Sequence, residues 1–348
     1  MIEAPGWAAI DEALAGVYGD AEPLHFGTIH KWALGGPDPL DGVSAYPRMD
    51  PVPHWHFVSY GMSELYAKES ENPDESGWGF EFTFRVARDP AEATPPVWAM
   101  NLLQNLARYV FGSGQWFEPG HTIDANGPIA ASRTDSAIRA LTFTVDPELG
   151  EISTPHGRLQ FLQAVGLTVD EYQAARQWNA GALLDLLAPR TPLHVTDIDR
   201  MSFLTDPAIA EAVRAGIERD GSAEGMLYVS AGSWSITGEE TVLRFGARPA
   251  SGVASAVAAR LPRGGGLMIE TDGGVTIALM PQGRFDVERI DDDSIRVGIP
   301  AEAIDDLVAA LRPEAGRHPL PSLPGLVIEI EPSIVRDGYG EPTGEVIG

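Results

Sequence analysis

Cysteine is missing from the sequence altogether, which excludes a disulfide framework, a thiolate nucleophile and any cysteine-ligated metal. Lysine is nearly missing as well: Lys31 and Lys68 stand alone, and every other basic residue is Arg. No apolar run approaches the roughly 18–20 residues that a membrane-spanning helix needs. The opening MIEAPGWAAIDEALAG has no basic n-region and no continuous apolar h-region, so no signal peptide is expected. With no Cys to oxidise, a cytoplasmic location is the default expectation. Basic charge is scarce: 24 Lys plus Arg face 50 Asp plus Glu, a formal net charge of −26. Such a surface repels phosphate backbones and anionic lipid, which disfavours nucleic-acid and membrane partners. It suits a basic partner, although acidity also serves solubility alone.

What is present describes an ordinary folded chain. The 348 residues are 44% hydrophobic and 21% charged, enough for one large domain or two of common size. Breakers at 35–39 and 50–53 frame short elements near the start. His54 to Tyr60 alternates aromatic and β-branched residues and reads as a strand. In 77–86, Phe80, Phe82 and Phe84 alternate with Glu81, Thr83 and Arg85, the period of a strand in an antiparallel or mixed sheet. Pro95-Pro96 can open a helix with Leu102, Leu103, Leu106 and Val110 on one face, stopped at Gly112-Ser113-Gly114. A strand is expected at 138–145, and Thr168 to Glu171 forms a capping box heading a helix that Gly181 kinks or divides. His194 to Asp197 reads as a short strand, and Asp206-Pro207 opens a helix ending near Gly221. Beyond it come strand-like runs at 226–236, 241–245, 267–270, 275–280, 295–299 and 326–330. A helix at 301–311, with Ile304, Leu307, Val308 and Leu311 on its core face, interrupts them, and 253–261, ambiguous in pattern, reads as another. These place a first domain at 1–222, a second at 223–336 and a flexible tail at 337–348. Helices and strands mix without strict βαβ alternation, so the expected class is α+β: two mixed α/β domains.

Catalytic signatures are hard to find. There is no Gly-x-Ser-x-Gly elbow, neither lysine sits in a P-loop, and Gly264-Gly265-Gly266 precedes a strand rather than a helix. His54 and His56, two apart on a strand, project from one face and make a plausible metal half-site. His121 and His156 could complete it only if the fold brought them near. The bland alternative is two rings hydrogen-bonded within a packed sheet, and no metal, cofactor or catalytic residue is assigned. Asp291 to Asp293 lacks the spaced ligands and the Gly of a calcium loop and reads as a solvated turn.

Several strings resemble the Suppressor of fused family in order along the chain. They begin with His54-Trp55-His56-Phe57-Val58-Ser59-Tyr60-Gly61-Met62-Ser63-Glu64-Leu65-Tyr66, followed by Gly77 to Arg85. Pro95-Pro96, 106–111, Asp146-Pro147, Thr154-Pro155, 161–166, Gln177-Trp178-Asn179 and Thr196-Asp197 with Arg200 follow, as far as 220–222. The likeness is looser after Ser222. It implies two mixed α/β domains with a cleft between them, no catalysis, and a role in binding a protein or peptide partner. In the animal members an extended segment of a Gli transcription factor adds as a strand in that cleft. Carried over, the cleft tyrosine of the first domain is Tyr109. The acidic residue that meets the peptide's histidine is replaced here by His121. The strand edge that pairs with the peptide corresponds to Leu227, Val229 and Ala231. In bacteria the resemblance suggests an immunity protein that masks a toxin, and a net charge of −26 suits a basic one. The alternative is an enzyme with an unrecognised site near the His54/His56 strand.

Overall fold

The structure, a computed structural model, describes residues 3–30, 32, 35–221, 225–238, 240–336 and 342–348. The chain forms two units: residues 1–175 with 180–211, and residues 176–179 with 212–348.

In the first unit, α1 (Pro5–Tyr18) precedes β1 (Leu24–Gly27), β2 (Gly42–Arg48), β3 (His54–Tyr60) and β4 (Glu75–Ala87). Then come α2 (Val97–Ser113), β5 (Thr122–Asp124), β6 (Ile138–Val145), β7 (Glu151–Thr154) and β8 (Gly157–Thr168). The strands make one mixed sheet in the order β1-β2-β3-β4-β8-β6-β5, with β7 beside β8. β4 is its hinge of direction, antiparallel to β3 and parallel to β8. Phe80, Phe82 and Phe84 alternate onto one face because successive strand side chains point to opposite sides. There they pack with Trp55, Phe57 and the Leu102, Leu103, Leu106 and Val110 stripe of α2. Full burial of each such ring contributes about 1.5–3 kcal/mol. On the other face α1 packs Ile10 and Leu14 against Val58, Tyr60 and Phe161.

Two glycines are required by close approach. A Cβ on Gly6 would lie 2.1 Å from the Glu64 carbonyl oxygen, so only Gly lets α1 rest on that backbone. Gly61, at φ 132°, leaves β3 with backbone of Leu40 and Asp41 within 3 Å of where its Cβ would be.

One half of the capping box at Thr168 forms, its N–H donating to Glu171 Oε2 at 3.0 Å, while its hydroxyl donates to Asp170 Oδ1. It heads α3 (Val169–Gln177), and α4 (Ala180–Leu187) follows, so the break falls at Trp178-Asn179 just before Gly181. The strand expected at His194 to Asp197 is instead a 3-10 turn at Pro192–His194 and a single bridge between Val86 and Thr196. Leu193 and His194 take left-handed backbone angles there. The turn is anchored by the Gln163 amide, which donates to the Leu193 carbonyl at 2.9 Å, a long-range contact that local pattern does not carry. α5 (Pro207–Asp220) completes the helices before the strand-rich region.

The second unit contains β9 (Met226–Val229), β10 (Gly232–Thr237), β11 (Glu240–Gly246), α6 (Ala247–Arg260), β12 (Leu267–Thr271) and β13 (Thr276–Pro281). β14 (Asp286–Arg289), β15 (Ser294–Ile299), α7 (Ile304–Ala310), β16 (Gly316–Leu320), β17 (Leu323–Glu331), β18 (Ser333–Arg336) and β19 (Pro342–Ile347) close it. One sheet runs β14-β15-β13-β12-β9 and another β10-β11-β17-β16. The two sheets share one core with α6 and α7, around Leu243, Val257, Ile269, Ile277, Leu307 and Ile328. The run read as one strand from Met226 to Ile236 is divided at Ser230-Ala231, and its halves join different sheets. The segment expected as a flexible tail includes β19, antiparallel to β18; residues 337–341 of it lie outside the described residues. The class is α+β, built on mixed sheets in both units.

Candidate functional site

The His54/His56 strand lies in the interior of the first unit, with both rings fully buried. Tyr18 donates to His56 Nδ1 (2.5 Å), and His56 Nε2 donates to Asp146 Oδ2 (3.1 Å), which selects the Nε2–H tautomer. The same carboxylate accepts from Thr83 Oγ1 (2.8 Å) and from both terminal nitrogens of the buried Arg85 (2.6 and 3.1 Å). The backbone N–H groups of Glu148 and Leu149 complete its shell at 2.9 and 3.0 Å. Burial alone would raise the Asp146 carboxyl, but the His56 hydrogen bond and the Arg85 guanidinium hold it well below the usual carboxylate range. Burial, then the Arg85 charge, push the His56 imidazole down to about 4 against the pull of Asp146. His54 bonds the Val52 carbonyl through Nδ1 at 2.7 Å. No group of three His, Cys, Asp or Glu side chains suited to a metal forms among the described residues. His121 is exposed and His156 half-buried, outside this network. The arrangement is a buried structural ion pair whose carboxylate is saturated by donors, with neutral histidines packed round it; His54 Nε2 and Arg85 Nε are buried with no hydrogen-bond partner among the described residues.

A second buried carboxylate explains the neighbouring string. Glu81 accepts from the Gly61 N–H (2.8 Å), the Ser63 N–H (3.0 Å), the Ser63 hydroxyl (2.7 Å) and the Ser59 hydroxyl. Burial pushes its pKa up, and these donors only partly offset that. The two strings that carry the resemblance most strongly are therefore neighbouring strands, β3 and β4, tied together through their polar residues.

The open surfaces lie at strand edges. In the first unit β5 ends the sheet, paired only with β6 among the described residues. His121 precedes it, half-exposed, and continues the pairing: its carbonyl accepts from the Phe143 N–H and the Thr142 hydroxyl, both at 3.0 Å. Its Nδ1 accepts from the Glu118 N–H at 3.2 Å. Tyr109, 41% exposed on α2, is the outer member of an aromatic stack. Its ring lies 5.5 Å from Phe117, which stacks 4.2 Å from Phe143 in the core. Its hydroxyl donates to Gln115 Oε1 at 2.8 Å. Trp116, next to Phe117 in the chain, is also exposed; the Trp116-Phe117 pair between Gly-rich turns has no period to mark it in sequence.

In the second unit β9 is the end strand of its sheet, parallel to β12 and with no strand on its other side among the described residues. Tyr228 is 60% exposed and Met226 is also exposed, while Leu227 is half-buried and Val229 buried. Ala231 falls just past the strand, in the wall of a cavity of about 280 Å³ that Arg244 and Thr271 also line.

Fold and edges define a two-unit α+β protein whose sheets end in exposed strand edges. The family model for Suppressor of fused protein (SUFU) matches residues 36–201. The human Suppressor of fused homolog is 40% identical over 218 residues, 58% of this chain and 44% of the human protein, and the mouse homolog matches to the same extent. The chain thus spans less than half the length of these relatives. The crystal structure of Drosophila Suppressor of Fused superimposes with a TM-score of 0.82 at 24% identity, covering 94% of this chain and 97% of that one. A chain of the Sufu–Fu complex crystal structure matches at 34% identity and a TM-score of 0.56, over 61% of this chain and 98% of that one. The chain belongs to the Suppressor of fused family. Among the described residues no helix is long and apolar enough to cross a membrane.

Proposed function

We propose that this chain acts without catalysis, by binding an extended segment of a partner protein through strand addition along the outer edge of β9. The observation that carries the reading is the position of β9 at the end of its sheet, with Met226 and Tyr228 exposed. A strand laid there gains backbone hydrogen bonds for affinity and alternate side-chain positions for specificity. The relative solved as a Sufu–Fu complex supports a protein partner. Leu227, Val229 and Ala231 are the second-unit contacts of this reading, and Tyr109 and His121 its first-unit contacts. A net charge of −26 fits a basic partner. In a bacterial host the finer form is an immunity protein masking a basic toxin, which a toxin gene encoded alongside would support.

The test is capture of partners from the native host with mass spectrometry, repeated with variants. Val229→Pro removes a backbone donor and fits poorly in a paired strand, so it should abolish capture while circular dichroism stays unchanged. His121→Asp should change which segments bind without harming the fold. Unaltered capture by both variants would overturn the strand-edge reading.

A further inference from the structure

We propose that a pocket between α1 and the sheet of the first unit is a second binding site, taking one guanidinium or ammonium side chain of a basic protein segment. The pocket is about 350 Å³, at the small end of ligand-sized cavities. α1 supplies Trp7, Asp11 and Tyr18 to it, a spacing that puts them on one helical face. The sheet supplies Tyr46 and Tyr60.

Two properties select a cation. The first is aromatic walls that are already fixed. Trp7 stacks on Tyr60 (centroids 4.3 Å apart, planes at 21°), and Tyr18 stacks on Tyr46 (3.8 Å, 11°). Rings held this way need little ordering on binding, and their π-electrons attract a positive group. The Tyr18 ring, stacked on Tyr46, already carries one such group, the chain's own Arg48 guanidinium, 5.4 Å from its centroid, so Trp7 is the ring for a second cation. The second is charge. Asp11 stands in the wall, one oxygen fixed by the Tyr60 hydroxyl at 3.0 Å, and Asp20 and Glu22 border the opening. Among the described residues no Lys or Arg lines the pocket, and the remaining titratable side chain besides the tyrosines is His25, whose Nδ1 lies 3.0 Å from Ser44 Oγ. An anion would meet three carboxylates, and a neutral apolar group would strip water from them without compensation. A flat cationic side chain satisfies both the rings and the carboxylates. The overall charge of −26 draws such segments toward the chain.

This site is separate from the β9 edge, and its test does not depend on that edge. The probe is the blocked pentapeptide Gly-Gly-Arg-Gly-Gly, titrated into the full chain, with the citrulline peptide as its neutral counterpart. Binding is read at the Trp7 indole N–H resonance, assigned by its disappearance in Trp7→Phe. The arginine peptide should move that resonance saturably, and the citrulline peptide should bind at least about tenfold more weakly. Asp11→Asn keeps an oxygen for Tyr60 while removing the charge, and should weaken the arginine peptide at least about fivefold. Should Asp11→Asn disturb α1, Glu22→Gln gives the same reading from the opening, with a smaller loss. A Trp7 resonance unmoved at about 10 mM peptide, or equal binding of the arginine and citrulline peptides, overturns the proposal. So does unchanged affinity in both carboxamide variants.

Discussion

Asp146→Asn is the sharpest test of how the first unit is held together. Six donors converge on the two carboxylate oxygens: His56, Thr83 and Arg85 Nη1 on Oδ2, and Arg85 Nη2 with the Glu148 and Leu149 N–H groups on Oδ1. A carboxamide keeps one oxygen, so whichever way it turns, three donors face an NH2 group instead of an acceptor. Arg85 meanwhile stays fully buried and loses its principal counter-charge, with Glu148 2.9 Å away as the remaining one. Removing one partner of a buried pair costs about 3–5 kcal/mol, so Asp146→Asn is predicted to lose that much, about a fifth or more of the stability of an ordinary domain. The apolar double variant Arg85→Met/Asp146→Leu should recover only part of the loss. In a simple buried pair such a swap is often neutral, but here His56, Thr83 and two backbone donors also lose their acceptor. Because the chain has two units, hydrogen exchange of the β6 and β8 amides is a better readout than a single global melt. Exchange free energies within about 1 kcal/mol of the unsubstituted chain would show that Asp146 is solvated and the network argument wrong.

Four further outcomes are expected. His56 is neutral when folded, with its pKa lowered to about 4, whereas an unfolded chain takes up that proton near pH 6.5; its contribution is intact above about 6.5 and falls by up to about 3 kcal/mol as pH drops toward 4. Denaturant titrations between pH 7.5 and 4.5 should show a steeper acid loss in the native chain than in His56→Gln, and equal slopes would count against it. Tyr109→Ala should weaken a captured partner by about 1–3 kcal/mol in a binding titration if the ring is an interface anchor, and not at all if it only covers Phe117. Gly6→Ala forces a methyl against the Glu64 carbonyl and should cost about 1–3 kcal/mol, seen as faster exchange of the α1 amides. Elemental analysis should find less than one transition metal per chain, and a full equivalent lost with His54→Ala would reverse the reading of that strand.

Elements whose own residues carry the pattern were legible. The Phe80, Phe82, Phe84 alternation and the 102, 103, 106, 110 stripe mark β4 and α2, and the structure packs them against each other. α1 is not among the expected elements, although Trp7, Ile10, Leu14 and Tyr18 have helical spacing. β8 was read for its resemblance and not as a strand, yet it is the strand that joins β4 to β6. The missed strand ending at Met226 to Ile236 shows what periodicity cannot carry. Ser230-Ala231-Gly232-Ser233 carries a local turn signal, but nothing local says that the halves go to two different sheets.

The same limit governs the candidate sites. Histidines two apart on a strand and an Arg–Asp pair look alike in sequence whether they catalyse, bind metal or hold a sheet together. Only their burial and the six donors around Asp146 decide for the last. An edge is harder still, because it is a property of sheet order and not of any residue. Met226 to Val229 would read the same in a central strand, and its exposure follows from β12 being its only strand neighbour among the described residues. The α1 pocket is intermediate: Trp7, Asp11 and Tyr18 declare one helical face, but Tyr46 and Tyr60 join them only through the register that sets Gly42 opposite Tyr60 and Tyr46 opposite His56. The proposed binding surfaces thus lie where separate segments end or meet, while the Arg85–Asp146 pair and Glu81 serve the core.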